Sequence, residues 1–230
     1  MANTQSWQMH YLWRQMYREW LLHLRQPQLI LNSSLFYLMI SIFLPLTLPL
    51  DQDLLRIASG GLIWVAMLLA MLLATLLFFQ QDYDDGIIEQ WLLAGYPLHR
   101  IIAVKIYMQW LLNIIPMLFF CPLLALLFSF KVYEMLILML GLIIGSPTIF
   151  FLCALAAAFS TGLTQKGVLM ALIILPLAIP SMIFGSSLLM TAMQGFPISE
   201  YLAILLAISL LAVAFLPMAI AAVIRITLVN

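Results

Sequence analysis

Apolar residues run along the chain in six long blocks: Leu29–Leu50, Ala58–Phe79, Ile101–Phe128, Met135–Phe159, Val168–Met190 and Tyr201–Ile224. Each is long enough to cross a hydrocarbon layer of ~30 Å, which takes about 20 helical residues. Unbroken apolar runs exclude a transmembrane β-barrel, whose strands alternate apolar and polar positions over only ~10 residues. The pattern therefore predicts an all-α polytopic membrane protein with a six-helix transmembrane domain over 29–230. The first block begins at Leu29, too far in for a signal peptide, and no small-residue cleavage pattern follows it, so that span is expected to be retained.

The segment ahead of the first block, 1–28, has a different period. Within Trp7–Arg25, residues Met9, Leu12, Trp13, Met16, Trp20 and Leu24 recur at spacings of three and four, while Arg14, Arg18 and Arg25 fall on another face. This predicts an N-terminal amphipathic helix lying in the headgroup plane, with Trp13, Arg14, Arg18 and Trp20 as interfacial anchors. Docking of a partner is the other reading of the same face.

Prolines punctuate the blocks. Pro45 and Pro49 end the first, Pro116 and Pro122 interrupt the third, Pro147 lies in the fourth, and Pro176 and Pro180 lie in the fifth. Each removes a backbone donor and kinks its helix. Gly141 and Gly145 share one helix face, a spacing that lets a second helix approach closely. Gly141, Gly145, Pro147, Pro176 and Pro180 are thus the candidate packing positions. No internal repeat is visible, which argues against transporter folds built from paired halves.

Composition sharpens this picture. Of 230 residues, 66% are hydrophobic and 8% charged, with a mean hydropathy of +1.14. Soluble domains carry about 25% charged residues, so only lipid can be the solvent. Net charge is zero, leaving no basic footprint for nucleic acid. With the N-terminus inside, Arg14, Arg18, Arg25, Arg100, Lys105, Lys166 and Arg225 lie on the cytoplasmic side, against Arg56 and Lys131 outside. That bias predicts both termini in the cytoplasm.

Candidate chemistry within the spans is sparse. No charged residue occurs between Ile106 and Phe130 or between Val168 and Ser199, and Lys105 is expected to snorkel to the cytoplasmic edge. This argues against a proton-coupled transporter. Cys121 and Cys153 sit in apolar runs, without disulfide or metal-site spacing. His10, His23 and His99 all fall on the predicted cytoplasmic side, with no HExxH zinc motif. No catalytic, cofactor or metal residue is therefore assigned.

Polar residues concentrate instead between the second and third blocks, from Gln80 to Pro97. Asp85 or Gly86 can cap a helix that carries Glu89 in its first turn, Gly95 can stop it, and Pro97 can begin the next. Ile87, Ile88, Trp91 and Leu92 then form one apolar face. Such a helix, about 82–95, suits insertion into a groove on a partner as well as rest on the headgroups.

The segment Asp82-x-x-Asp85-Gly86-x-x-Glu89-Gln90, following Gly60-Gly61-Leu62-Ile63-Trp64-Val65-Ala66, resembles the haem exporter B (CcmB) family. So do Gly145-Ser146-Pro147-Thr148, Leu175-Pro176-Leu177-Ala178-Ile179-Pro180, Gly195 to Ile204, and Ala221-Ala222-Val223-Ile224-Arg225-Ile226, so that nearly the whole chain is covered. The resemblance implies an ABC-2-like exporter permease in a bacterial inner membrane, present in two copies per complex. It further implies an ATPase subunit (CcmA), a haem-handling subunit (CcmC), a small subunit (CcmD) and, indirectly, a haem chaperone (CcmE). Asp82, Asp85, Gly86, Glu89, Gln90 and Trp91 become the expected ATPase-coupling residues, and the lack of a GxxxxGK[ST] loop fits a borrowed ATPase. The family's ATP use is read either as haem export or as release of the haem-loaded chaperone, with haem a transported or partner-held ligand and no obligatory cofactor. The chain has no tryptophan-rich motif of the CcmC kind and no His in its predicted outer segments, which argues against its ligating haem.

Two other classes compete. An intramembrane enzyme needs nucleophiles and bases at depth, and Ser146, Thr148, Ser186 and Ser187 have no His, Asp or Glu beside them in sequence. A scaffold that holds haem-handling partners but moves nothing fits the shortage of polar groups in the spans.

Overall fold

Lipid leaves the backbone no water to bond, so each span must close its own hydrogen bonds as a helix. The structure, a computed structural model, describes residues 27–47, 51–93, 97–161 and 166–229. The amphipathic segment Trp7–Arg25, with Trp13, Arg14, Arg18 and Trp20, lies outside the described residues. Among the described residues there are nine helices and no strand: α1 Pro27–Thr47, α2 Gln52–Thr75, α3 Gln80–Asp84, α4 Ile87–Leu93, α5 Leu98–Phe119, α6 Cys121–Leu127, α7 Val132–Ser160, α8 Lys166–Met193 and α9 Ser199–Val229. Six candidate spans result, with α5 and α6 together forming the third.

The prolines act unequally. The expected interruption of the third span falls between Pro116 and Pro122: α5 stops at Phe119, and Pro122 enters the first turn of α6, where its missing N–H costs nothing. Pro45 does not end α1, which continues to Thr47, and Pro147 lies within an unbroken 29-residue α7.

Helix α7 is the hub, packing against α2, α5, α6, α8 and α9. The expected close approach at its glycines is present. A Cβ on Gly145 would collide with the Trp64 ring of α2 and lie 2.9 Å from Leu205 of α9; one on Gly141 would lie 3.0 Å from Leu188 of α8. Trp64 is fully buried, and Gly185 of α8 also lies against it, where a Cβ would overlap the ring. One indole thus fills a slot cut by two glycines from two helices. Pro176 and Pro180 depart from expectation as packing residues. Both are exposed on α8, and the small Ala178 between them is buried instead.

Helix α1 inverts the usual arrangement. Its buried positions include Ser33, Ser34, Tyr37 and Ser41, whereas Leu31, Leu35, Met39, Phe43 and Leu46 are exposed. Lipid tolerates this because the outer face needs only apolar atoms, while Ser33 and Ser34 on the inner face are hydrogen bonded. Ser33 Oγ donates to Asn113 Oδ1 of α5 at 2.7 Å, and Asn113 Nδ2 donates to the Gln109 carbonyl at 2.9 Å.

Candidate functional site

Helix α2 loses its regular ladder after Thr75. Phe78 N–H bonds the Thr75 carbonyl and Gln80 N–H the Leu77 carbonyl, three residues back instead of four. The chain re-forms as α3, then turns at Gly86, whose φ of +67° lies in the left-handed region that a Cβ disfavours. The Gly86 carbonyl accepts the Gln90 N–H at 3.3 Å, opening α4 where the sequence placed a cap. The expected docking helix is therefore a two-helix hairpin, α3 and α4.

The hairpin has two unlike faces. Ile88 and Trp91, 1% and 4% exposed, are buried in the chain's own core. This corrects the expectation that the apolar face of α4 is free to enter a partner's groove. Burying two large side chains on the bundle contributes several kcal/mol, on the order of 1.5–3 each, and leaves the polar face outward. Asp84, Asp85, Glu89 and Gln90 are exposed, with Leu93 beside them; Gln80 Nε2 donates to Asp84 Oδ1 at 2.7 Å.

Asp82 is the exception among the acidic residues. It is turned inward, 9% exposed, and paired with Lys105 of α5, itself 7% exposed. Lys105 Nζ also donates to the Phe78 carbonyl at 3.2 Å and lies 5.0 Å and 5.8 Å from the ring centroids of Phe78 and Phe79. Lys105 is thus buried and paired within the protein, where the sequence suggested a lysine reaching out to solvent. A carboxylate, a carbonyl and two aromatic rings replace its water, which is what a buried ammonium requires. Asp82 accordingly presents no carboxylate to a partner.

Sequence reasoning missed this pairing, although a signal was present. Lys105, Gln109 and Asn113 recur every four residues on α5, and all three are buried. A polar stripe at helical spacing in an apolar block marks an inward face. The other end of the bundle has its own pair, Arg56 of α2 with Glu134 of α7.

The serine and threonine candidates form no catalytic constellation. Ser146 Oγ accepts the Trp110 Nε1 proton at 2.8 Å, and Ser186 Oγ donates to the Ile183 carbonyl at 3.0 Å. Asp82 and Glu134 are both engaged by cations at the ends of the bundle. Among the described residues, no three His, Cys, Asp or Glu side chains gather as a metal site would require.

The model of the CcmB protein family matches residues 10–227. The chain belongs to this family. Among CcmB relatives, Heme exporter protein B of Pseudomonas aeruginosa is 37% identical over 210 residues, 91% of this chain and 94% of that one. Heme exporter protein B of Haemophilus influenzae is 38% identical over 213 residues, 93% and 96% of the two chains. The Escherichia coli K12 protein of the same name is 35% identical over 216 residues, 94% and 98%. The CcmB match spans all six candidate membrane helices and the α3–α4 hairpin.

Proposed function

We propose that this CcmB-family chain is the permease subunit of an ATP-driven haem-export system for cytochrome c maturation, and that it has no catalytic residues of its own. The observation that carries the reading is the α3–α4 hairpin: a short acidic outer face, Asp84, Asp85, Glu89 and Gln90, fastened to the spans by buried Ile88, Trp91 and the Asp82–Lys105 pair. A rigidly mounted polar patch suits the seat of a separate ATPase, because force applied there reaches the helices. The relatives' name, Heme exporter protein B, supplies the cargo. On this reading the hairpin end and both termini face the cytoplasm of a bacterial inner membrane. The ATPase is CcmA, two copies of the chain serve one complex, and CcmC, CcmD and, indirectly, CcmE complete the assembly.

One observation favours ATP-driven release of the haem-loaded chaperone over passage of haem through these spans. Haem carries two propionates, yet Arg56 and Lys105 each face a buried carboxylate already. Proteoliposomes containing the complex separate the two outcomes. ATP-dependent appearance of haem in the lumen without chaperone supports export; ATP-dependent freeing of the loaded chaperone, with no luminal haem, supports release. Neither response to ATP would overturn the permease reading in favour of a static scaffold.

A further inference from the structure

Lys105 grips the α2–α3 break and the helix beyond it from a third helix. Its ammonium holds the Phe78 carbonyl inside the break and the Asp82 carboxylate on α3 beyond it, and it stands over the Phe78 and Phe79 rings. The break is where α2 gives up its four-residue ladder, so it is the place where the hairpin can swing relative to α2. Swinging α3 while α5 stays still would separate Asp82 from Lys105 and leave two opposite charges buried alone. That state is strongly disfavoured in an apolar surround. Moving α3 and α5 together keeps the pair whole.

From its own side, α5 is tied to the rest of the bundle by neutral hydrogen bonds. Asn113 accepts from Ser33 of α1, and Trp110 donates to Ser146 of α7. Neutral bonds of this kind are individually modest and exchangeable. Among the polar ties along α5, the charged pair is the firmest and the neutral ones are softer, an ordering suited to a lever.

We propose that Lys105 is a positioning residue that makes the α3–α4 hairpin and α5 a single rigid lever hinged at Leu76–Phe79. Motion imposed on the hairpin is thereby delivered to the third span rather than to α2, from which the hairpin emerges. The proposal rests on the hairpin being the ATPase's seat.

The test uses the assembled complex with Cys121→Ala and Cys153→Ala and pairs of spin labels. One pair joins Gln81→Cys to Tyr107→Cys, both exposed, on α3 and α5; the other joins Gln81→Cys to Leu73→Cys on α2. On adding a non-hydrolysable ATP analogue, the 81–107 distance stays fixed and the 81–73 distance shifts. Lys105→Met broadens the 81–107 distribution and lowers holocytochrome c formation about tenfold while the ATPase still co-purifies, whereas Lys105→Arg retains the coupling. The exchanged pair Asp82→Lys with Lys105→Asp recovers part of the loss. A shift in 81–107 in the unsubstituted pair, or Lys105→Met indistinguishable from Lys105, overturns the lever. Where Lys105→Met does not accumulate, the distances in the Lys105 chain decide alone. Undiminished association of the ATPase with the Asp85→Lys, Glu89→Lys variant overturns the seat itself, a different result from a seat that binds but does not move α5.

Discussion

One guanidinium nitrogen of Arg56, near the start of α2, stands 2.5 Å and 2.7 Å from the two carboxylate oxygens of Glu134, at the start of α7. The same carboxylate accepts the Lys131 N–H at 2.8 Å, so it caps its own helix while holding another. Glu134 is 2% exposed on its side chain and Arg56 31%. Removing the arginine as Arg56→Met strands a buried carboxylate, but water screens the exposed part of the pair. The expected loss is about 1–2 kcal/mol, less than the ~3–5 kcal/mol of a fully buried pair. Thermal unfolding of the purified protein in detergent, with Glu134→Gln beside it, measures this; an unchanged midpoint in both would contradict the pairing.

The Trp64 slot makes a sharper prediction. Gly185→Leu forces the indole out and should cost at least ~1–3 kcal/mol through overpacking. Trp64→Ala alone empties the slot and should cost about 3–5 kcal/mol. Combined, the two substitutions should recover part of the loss, since the leucine can occupy space the ring vacates. A double variant as unstable as the sum of the singles would show that the helices do not share this slot.

Charge reversal on the outer face of the hairpin should separate binding from folding. Asp85→Lys with Glu89→Lys alters exposed side chains only, so membrane insertion and unfolding should stay within about 0.5 kcal/mol of the parent. Co-purification of the ATPase should fall sharply. Retained association and unchanged ATP hydrolysis would remove the hairpin as the docking site. Trp91→Ala, by contrast, should lower stability first, because its ring is core.

Sidedness can be read by labelling. In intact cells, a membrane-impermeant thiol reagent should modify Asp53→Cys, in the exposed first turn of α2, and reach Gln81→Cys only after the membrane is opened. The reverse order would invert the topology drawn from the Lys and Arg bias. Buried Cys121 and Cys153 should stay silent in both conditions.

The spans were legible because lipid demands length and apolarity, and neither depends on what packs where. The start of α4 near Gly86 and of α5 after Pro97 was legible too, because both residues are local signals, whereas α3 as a separate helix was not expected. Facing was not legible. A helix such as α7 is apolar all round, so its sequence does not distinguish lipid from core. The apolar residues of α4 looked free for the same reason: their burial in the core is not written in the local pattern. Trp64 and Gly185 meet across 121 positions, and no local pattern predicts that encounter. Pro176 and Pro180 misled in the opposite sense: both lie within α8 on its exposed side.

The inward serines of α1 have a consequence for how the protein is made. Asn113 follows Ser33 by 80 residues, so at about 5–20 residues per second the ribosome supplies this partner only after roughly 4–16 seconds. During that wait α1 lies in the bilayer with its hydroxyls unassembled. Ser33 and Ser34 both reach back to the Ile30 carbonyl of their own helix, at 3.0 Å and 2.6 Å. These two hydroxyls need no second helix to be tolerated by lipid, and Ser33 gains Asn113 Oδ1 as a further acceptor when α5 arrives. The first span can thus be inserted early and recruited late.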